Sequence, residues 1–503
     1  MWGVTRRRAR QTLTVAEPTK DTPIGGRTSL LLVSVTSGLV LVLEILAGRL
    51  MAPYVGVSLD TFTGIIGTIL AGIATGAAFG GGLADRKDPV RLIAQALFFG
   101  GGLTWLSIPI VSVLGPNLGS GPVAIVLLAA CAFFLPAAAL SGIGPMVAKL
   151  ELESLDQTGS VIGRLSAAST FGALIGTFGT GFVLITFLPV RTIILIVGAL
   201  LVLGGVIVFM KSGRTRPAGP EIAVVILAAL ISLVIGSPCD RTTDYYCIRI
   251  VADAESDPDG RPGGRSLFLD QLRNAHVDLD DPEYLDIRYM RIFADATESL
   301  EDGPIRVLHV GGGGFSLPRY ISAVRPGSTN TVLELDDQLV EIATEHLGLT
   351  DADGLDILTG DARLHLADLP DAGFDLIVGD AYSGSSVPWH LTTVEVVREF
   401  DRLLDDNGLY IMNVIDGGDS RFSRAQLETL SEVFDELGIV EPTNGIPERA
   451  VNQILLASHN AISTLDIDPD DGRQLSAAAT TDFIGDDAQL LTDNFAPADQ
   501  LLP

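Results

Sequence analysis

Four short stretches in the second half of the chain carry residue types that could act together on one ligand. Val307-Leu-His-Val310 is an apolar strand pattern that runs into Gly311, Gly312, Gly313 and Gly314. Glycines at such a strand end let the backbone turn tightly and come close to a ligand at the N-terminus of the next helix. The next strand pattern ends in Leu333-Glu334-Leu335-Asp336, and an acid at that tip can accept both hydrogen bonds of a ribose diol. Asp361 follows Thr359-Gly360, and Asp380 follows Val378-Gly379. A glycine-rich turn alone is a weak signal, but the ordered set of Gly311–Gly314, Glu334, Asp361 and Asp380 points to a nucleoside-binding cleft. The turn is not the dinucleotide fingerprint, because Phe315, Ser316 and Leu317 follow without a further glycine.

To converge, these residues need a parallel sheet. The pattern alternates strand 305–310, helix 316–324, strand 330–335, helix 337–346, strand 355–358, helix 362–367, strand 374–379, helix 391–404 and strand 408–414. That order gives parallel strands covered by helices, with every candidate at a C-terminal strand end. This predicts an α/β domain over 301–503, with a further helix at 423–436 and a strand at 453–458. Ahead of it, 244–253 and 265–270 read as β-strands and 282–299 as a helix, giving a small β subdomain and linker over 239–300. His309, inside the first sheet strand, is expected in the core. His390, after Pro388-Trp389, either lines the cleft or simply belongs to its loop. The six histidines and three cysteines show no ligand spacing, so no metal is expected.

The composition divides the chain in two. Its 503 residues are 47% hydrophobic and 19% charged, with a mean hydropathy of +0.40. Residues 1–238 carry 16 Lys+Arg against 10 Asp+Glu, whereas 239–503 carry 17, all Arg, against 51. The first half holds seven apolar stretches, roughly 29–50, 62–84, 91–113, 122–148, 162–188, 192–210 and 221–237, each near the ~20 residues of a membrane span. Cations fall on the N-terminal segment 1–28 (Arg6, Arg7, Arg8, Arg10) and on loops 85–91, 149–164 and 211–216. Loops 51–61 and 115–121 carry none, and 189–191 only Arg191. The positive-inside rule then predicts a cytoplasmic N-terminus, a seven-span membrane domain over 29–238 and an extracytoplasmic acidic half. Glu44 within the first span is expected either to pair with Arg49 or stay protonated, or to line a polar path. Gly72, Gly76 and Gly80, and Gly172 and Gly176, are expected to pack helices closely. Cys131 is expected in the core. Cys239 and Cys247 would pair in an oxidising exterior and remain thiols inside the cell. The acidic surface reads as salt adaptation, and it lacks the basic face that a nucleic-acid partner would need.

With these residues in place, the sequence resembles the spermidine synthase (polyamine aminopropyltransferase) family, in particular members whose synthase domain follows a multi-span membrane region. The resemblance is carried by Tyr245-Tyr246, Gly264–Asp270, Asp281-Pro-Glu-Tyr284, Gly311–Gly314, Glu334-Leu-Asp336, Gly360-Asp361 and Asp380, and in the first half by Leu43–Gly56. It implies a Rossmann-like domain of the S-adenosylmethionine methyltransferase type. It also implies decarboxylated S-adenosylmethionine, or S-adenosylmethionine, as co-substrate and no metal. Asp380 would be the catalytic base. Gly311, Gly312, Gly313, Glu334 and Asp361 would hold the nucleoside, and Tyr284, Tyr246 and Ser383 would face the amine. Three positions depart from the family pattern. Gly314 replaces an aspartate on the aminopropyl side, Ser383 replaces a second aspartate after Asp380, and Asn274, following Gln271 in place of Gly, replaces a glutamine. Glu283, Asp286 or Asp416 could compensate.

The expected function is therefore a membrane-anchored polyamine aminopropyltransferase with a small amine substrate, sited in the cell membrane, with a homodimer as a further expectation. Two alternatives stay open. One is a polyamine or small-molecule transporter or sensor whose α/β domain binds a nucleoside without turning it over. The other is a different S-adenosylmethionine-dependent transfer such as methylation.

Overall fold

A computed structural model describes residues 25–119, 121–152, 158–212, 219–253, 260–381, 387–447 and 450–502. The N-terminal arginines, Arg214, Arg216 and Ser383 lie outside the described residues. Among the described residues, six helices are long and apolar enough to cross a membrane: α1 Gly26–Val55, α2 Leu59–Ala84, α3 Pro89–Leu118, α4 Pro122–Glu151, α5 Thr158–Phe187 and α6 Val190–Lys211. The last apolar stretch forms a shorter helix, α7 Gly219–Val234, of 16 residues. Start signals are local: Asp88 accepts the Val90 N–H at 3.1 Å, and Pro89 fills the first turn of α3, where no intrahelical donor is needed.

The spaced glycines are the contact points of the bundle. Gly172 and Gly176 of α5 face the backbone of Ser34 and Gly38 of α1, while Gly76 and Gly80 of α2 face Ala138 and Gly142 of α4. A methyl group at any of these four would overlap the opposing backbone. Such close approach is how helices gain packing energy in lipid, where burying apolar surface gains nothing. Phe171, Phe178, Phe182 and Phe187 stay exposed on the outer face of α5. Cys131 is exposed too, not in the core as expected. It falls within a π-helical turn of α4, Ala130–Phe134, of which Ala132 and Phe133 take the buried positions. Glu44 has no ion-pair partner among the described residues; Arg49 reaches instead toward the carbonyl of Thr243, at 3.5 Å.

After α7 the chain forms a four-stranded antiparallel sheet in sequence order: β1 Arg241–Thr242, β2 Cys247–Ala252, β3 Gly264–Leu269 and β4 Leu272–Asp278. Cys239 and Cys247 are joined by a disulfide that ties the chain leaving α7 to β2. The strand β4 was hidden in the sequence by Arg273, Asn274 and His276, which interrupt its apolar positions. Helix α8, Arg288–Glu298, starts six residues later than its apolar spacing suggests. Asp281 holds the preceding residues in a turn, its side chain accepting the Glu283 N–H and its carbonyl the Tyr284 N–H, both at 3.2 Å.

The large sheet has eight strands. In chain order the elements are β5 Arg306–Val310, α9 Ser316–Val324, β6 Thr329–Glu334, α10 Asp337–His346, β7 Leu355–Thr359, α11 Ala362–Leu366, β8 Phe374–Gly379, α12 Val394–Leu403, β9 Leu404–Asp416, α13 Arg421–Ser431, β10 Glu436–Glu441, β11 Val451–Ser458 and β12 Arg473–Gln474. Their spatial order is β12-β10-β11-β9-β8-β5-β6-β7, parallel from β9 to β7 and antiparallel beyond. Side chains alternate between two cores: Leu308, Ile377 and Tyr410 pack under α12 and α13, and Val307, Val378 and Ile411 under α8 and α9. Both faces are covered, which is why these strands read as nearly continuous apolar runs. This is a Rossmann-like sheet. Its strand order reverses between β5 and β8, and a crevice opens there at the carboxyl ends.

Candidate active site

Three backbone hydrogen bonds lace the strand ends around that crevice. Gly311 donates to Leu333 at 2.9 Å, Asp380 to Val310 at 2.9 Å and Gly360 to Glu334 at 2.8 Å. Gly311 adopts φ +104°, and a Cβ there would overlap the Asp380 carbonyl, so only glycine lets the turn and the β8 tip meet. Beside them lies a cavity of about 850 Å³, part of it open to solvent. Its walls include the Gly311–Gly314 turn, Glu334, Asp361, Asp380, Tyr246 and His390.

Glu334 is 5% exposed and closes the glycine turn. Its Oε2 accepts from the N–H groups of Gly312 (2.9 Å) and Gly313 (3.3 Å), and its Oε1 from Asp336 N–H (2.9 Å). Burial raises its pKa, while these three N–H groups favour the charged form. Oε2 is met by two donors and Oε1 by one, so Oε1 has room for a second donor such as a ribose hydroxyl. Asp336 is fully buried, caps α10 through the Gln338 N–H and accepts the hydroxyl of Thr243. That hydroxyl also accepts the N–H of Tyr246 at 3.0 Å, fixing the residue that presents its ring to the cavity. Asp361 caps α11 through Arg363 N–H (2.9 Å), and its Oδ2 lies 3.3 Å from His390 Nε2.

Asp380 is held from both sides. Tyr289 of α8 donates its hydroxyl to Oδ2 at 3.0 Å, and Asn413 of β9 donates its amide to Oδ1 at 2.9 Å. Asn452 of β11 in turn donates to Asn413 Oδ1 at 2.9 Å. Burial pushes the Asp380 pKa up to about 7, against the pull of those two hydrogen bonds. Sequence reasoning missed both partners. Tyr289 sits among Ile292 and Phe293 and reads as core. Asn413 did leave a signal: it is a lone amide within the apolar run of β9, and buried amides need partners.

Not every expected residue reaches this cavity. Tyr284 is not among its lining residues. The Tyr284 ring lies 4.0 Å below the Arg261 guanidinium, and its hydroxyl donates to Asp286 at 3.2 Å. Asp286 is also paired with Arg273 at 2.6 Å, and Asp416 accepts the N–H groups of Gly417 and Ser423, both at 2.8 Å. At Gly314 a Cβ would stand 2.7 Å from Ala275 Cβ, so β4 occupies the space that a side chain there would need. His309 is 2% exposed and bonded to Asn330 at 2.9 Å, and burial lowers its pKa to about 4.

No family model matches the chain. Among curated proteins it is similar to the polyamine aminopropyltransferase of Vibrio vulnificus, 26% identical over 215 residues, covering 39% of this chain and 70% of that protein. It is also similar to that of Chromobacterium violaceum, 27% identical, covering 34% and 65%. An eEF1A lysine and N-terminal methyltransferase of Danio rerio is 28% identical, covering 32% and 24%. A solved structure of a probable spermidine synthase from Corynebacterium glutamicum aligns with 51% of this chain and 96% of its own, at 25% identity and a TM-score of 0.47. Over the part that these relatives match, the chain is spermidine synthase-like.

Proposed function

We propose that the chain is a membrane-anchored aminopropyltransferase, and the observation that carries this is Asp380. It is a carboxylate with a pKa near 7, held by Tyr289 and Asn413 at the mouth of a nucleoside-sized crevice. The donor is decarboxylated S-adenosylmethionine and the acceptor a small amine. Glu334 holds the ribose, Asp361 lies on the adenine side and the Gly311–Gly313 turn lets the backbone approach. Asp380 takes the amine proton as the nitrogen attacks the methylene beside the sulfonium. A carbon–nitrogen bond forms, the carbon–sulfur bond breaks with its electron pair passing to sulfur, and methylthioadenosine leaves. Tyr246 and Tyr289 face the amine side, and Tyr284 supports it through Asp286. The test is release of methylthioadenosine by full-length protein given the donor and putrescine, in salt suited to an acidic surface. Asp380→Asn should slow release by about 10²–10⁴-fold, the usual contribution of a positioned base. A folded wild-type protein with no release would remove this reading.

One observation favours a second reading. The space beside Gly314 is filled by Ala275 and Val277, so no carboxylate can stand there to hold a donor's terminal ammonium. Transfer of a methyl group from S-adenosylmethionine would not require one. Thermal-shift titration with both donors separates the readings: preference for the decarboxylated form supports aminopropyl transfer, and preference for S-adenosylmethionine supports methylation.

For placement, we read α1–α7 as crossing the membrane with the N-terminus cytoplasmic, which puts the acidic half outside. The disulfide Cys239–Cys247 supports that side, because such bonds persist in oxidising compartments.

A further inference from the structure

A second cavity, of about 770 Å³ with the solvent at its open side included, lies where the helical half meets the β-rich segment. It is separate from the nucleoside crevice and shares none of its lining residues. Leu50, Ile108 and Val190 give it an apolar wall, and three charged side chains, Arg49, Arg191 and Asp270, enter it.

Each of the three has bonding capacity to spare. Arg49 stands six residues before the end of α1 and makes only the long contact to Thr243 among the described residues. Arg191, the second residue of α6, donates through Nη2 to the carbonyls of Ser232 and Leu233, both at 2.8 Å. Its Nε is buried without a partner. Asp270 is 6% exposed and sits at the hairpin turn between β3 and β4 with φ +54°. One oxygen accepts the Cys247 N–H at 3.0 Å, and the other accepts nothing among the described residues.

Arginines near helix ends commonly reach for headgroup phosphates, and two of them alone would mean no more than that. A nearly buried carboxylate beside them is different: Arg49 acts on Asp270 through space, but no cation hydrogen-bonds its second oxygen among the described residues, and a buried charge is costly until its bonding is completed. Two guanidiniums and one carboxylate against an apolar wall at helix-end level match an amphiphile that carries both a phosphate and an ammonium able to donate hydrogen bonds. We propose that this cavity binds the head group of an ethanolamine phospholipid, with its phosphate on Arg49 and Arg191 and its ammonium on Asp270. The inference rests on α1–α6 lying in a bilayer and is independent of the reaction at Asp380.

The test uses full-length protein, stripped of lipid in detergent and offered phosphatidylethanolamine, phosphatidylcholine or phosphatidylglycerol with identical chains, with bound lipid counted by native mass spectrometry. Phosphatidylethanolamine should be retained about tenfold over phosphatidylcholine, whose quaternary ammonium has no proton to donate, the ratio expected for one charge-assisted hydrogen bond. Asp270→Asn keeps an acceptor for the Cys247 N–H and should abolish that preference, while Arg191→Gln should weaken retention of both lipids. Equal retention of the three lipids by the wild type, or an unchanged preference in Asp270→Asn, would overturn the proposal. Displacement of the lipid by millimolar soluble phosphoethanolamine would overturn it too, assigning the cavity to a soluble ligand.

Discussion

Asp380 can accept a proton from an amine only when ionised, and its surroundings decide when that happens. Burial raises its pKa to about 7, while Tyr289 and Asn413 stabilise the anion. The rate under limiting substrate should therefore climb with pH up to about 7 and level off above it. Tyr289→Phe removes a donor to the anion, so the inflection should move to higher pH and the rate at pH 7 should fall. A pH–rate profile that keeps its inflection in this variant would show that another group titrates. Folding stability has the same origin but the opposite sign. The raised pKa favours the folded state most fully below the unfolded value, near 4, and that contribution is lost as pH rises through about 7. Of the groups around this carboxylate, the sequence made Asp380 legible through its strand-end position. Tyr289 and Asn413 come from α8 and β9, and nothing local marks which face of either element meets β8.

The strands that carry the cleft were legible because each is a short apolar run closed by glycine or acid, and β5 to β9 lie close to where the pattern placed them. What escaped were elements whose side chains mix polar and apolar types, such as β4. The strand β10 also escaped: it begins at Glu436, at the end of the helix expected over 423–436, which stops at Ser431. The turn after β5 gives this scale a direct test. Gly311 and Gly303 both have positive φ, +104° and +114°, but only at Gly311 does a Cβ meet another strand. Gly303→Ala should lose only the backbone strain, about 1–3 kcal/mol. Gly311→Ala should lose that and also push the β5 tip from the β8 tip, abolishing nucleoside-induced thermal stabilisation. Calorimetry with and without donor checks both, and equal behaviour of the two variants would remove the claim that the strand tips must touch.

At the scale of the whole molecule, charge and hydropathy separated the halves, because each solvent selects its own side chains. The contact of Arg49 with Thr243 was not legible as geometry, since it depends on how the two halves meet, whereas the Cys239–Cys247 disulfide was one of the two outcomes the sequence left open. The 17 arginines and 51 acids of residues 239–503 predict strong self-repulsion at low salt. Raising ionic strength from 0.1 to 1 M shortens the screening length from about 10 to about 3 Å. The melting temperature should therefore rise across that range, and a flat response would argue against salt adaptation. Sidedness follows from parity: with α7 crossing, the α/β domain and the N-terminus are on opposite faces; without it, they share one. Asp302 is exposed and Cys131 is the one free cysteine, so Asp302→Cys in a Cys131→Ala background carries a single reporter thiol. A membrane-impermeant maleimide should label it in intact cells. Labelling only after permeabilisation would mean that α7, at 16 residues, does not cross. The α/β domain would then sit where adenosyl donors are made, and the Cys239–Cys247 disulfide would have to exist in a reducing compartment, which requires a dedicated oxidant.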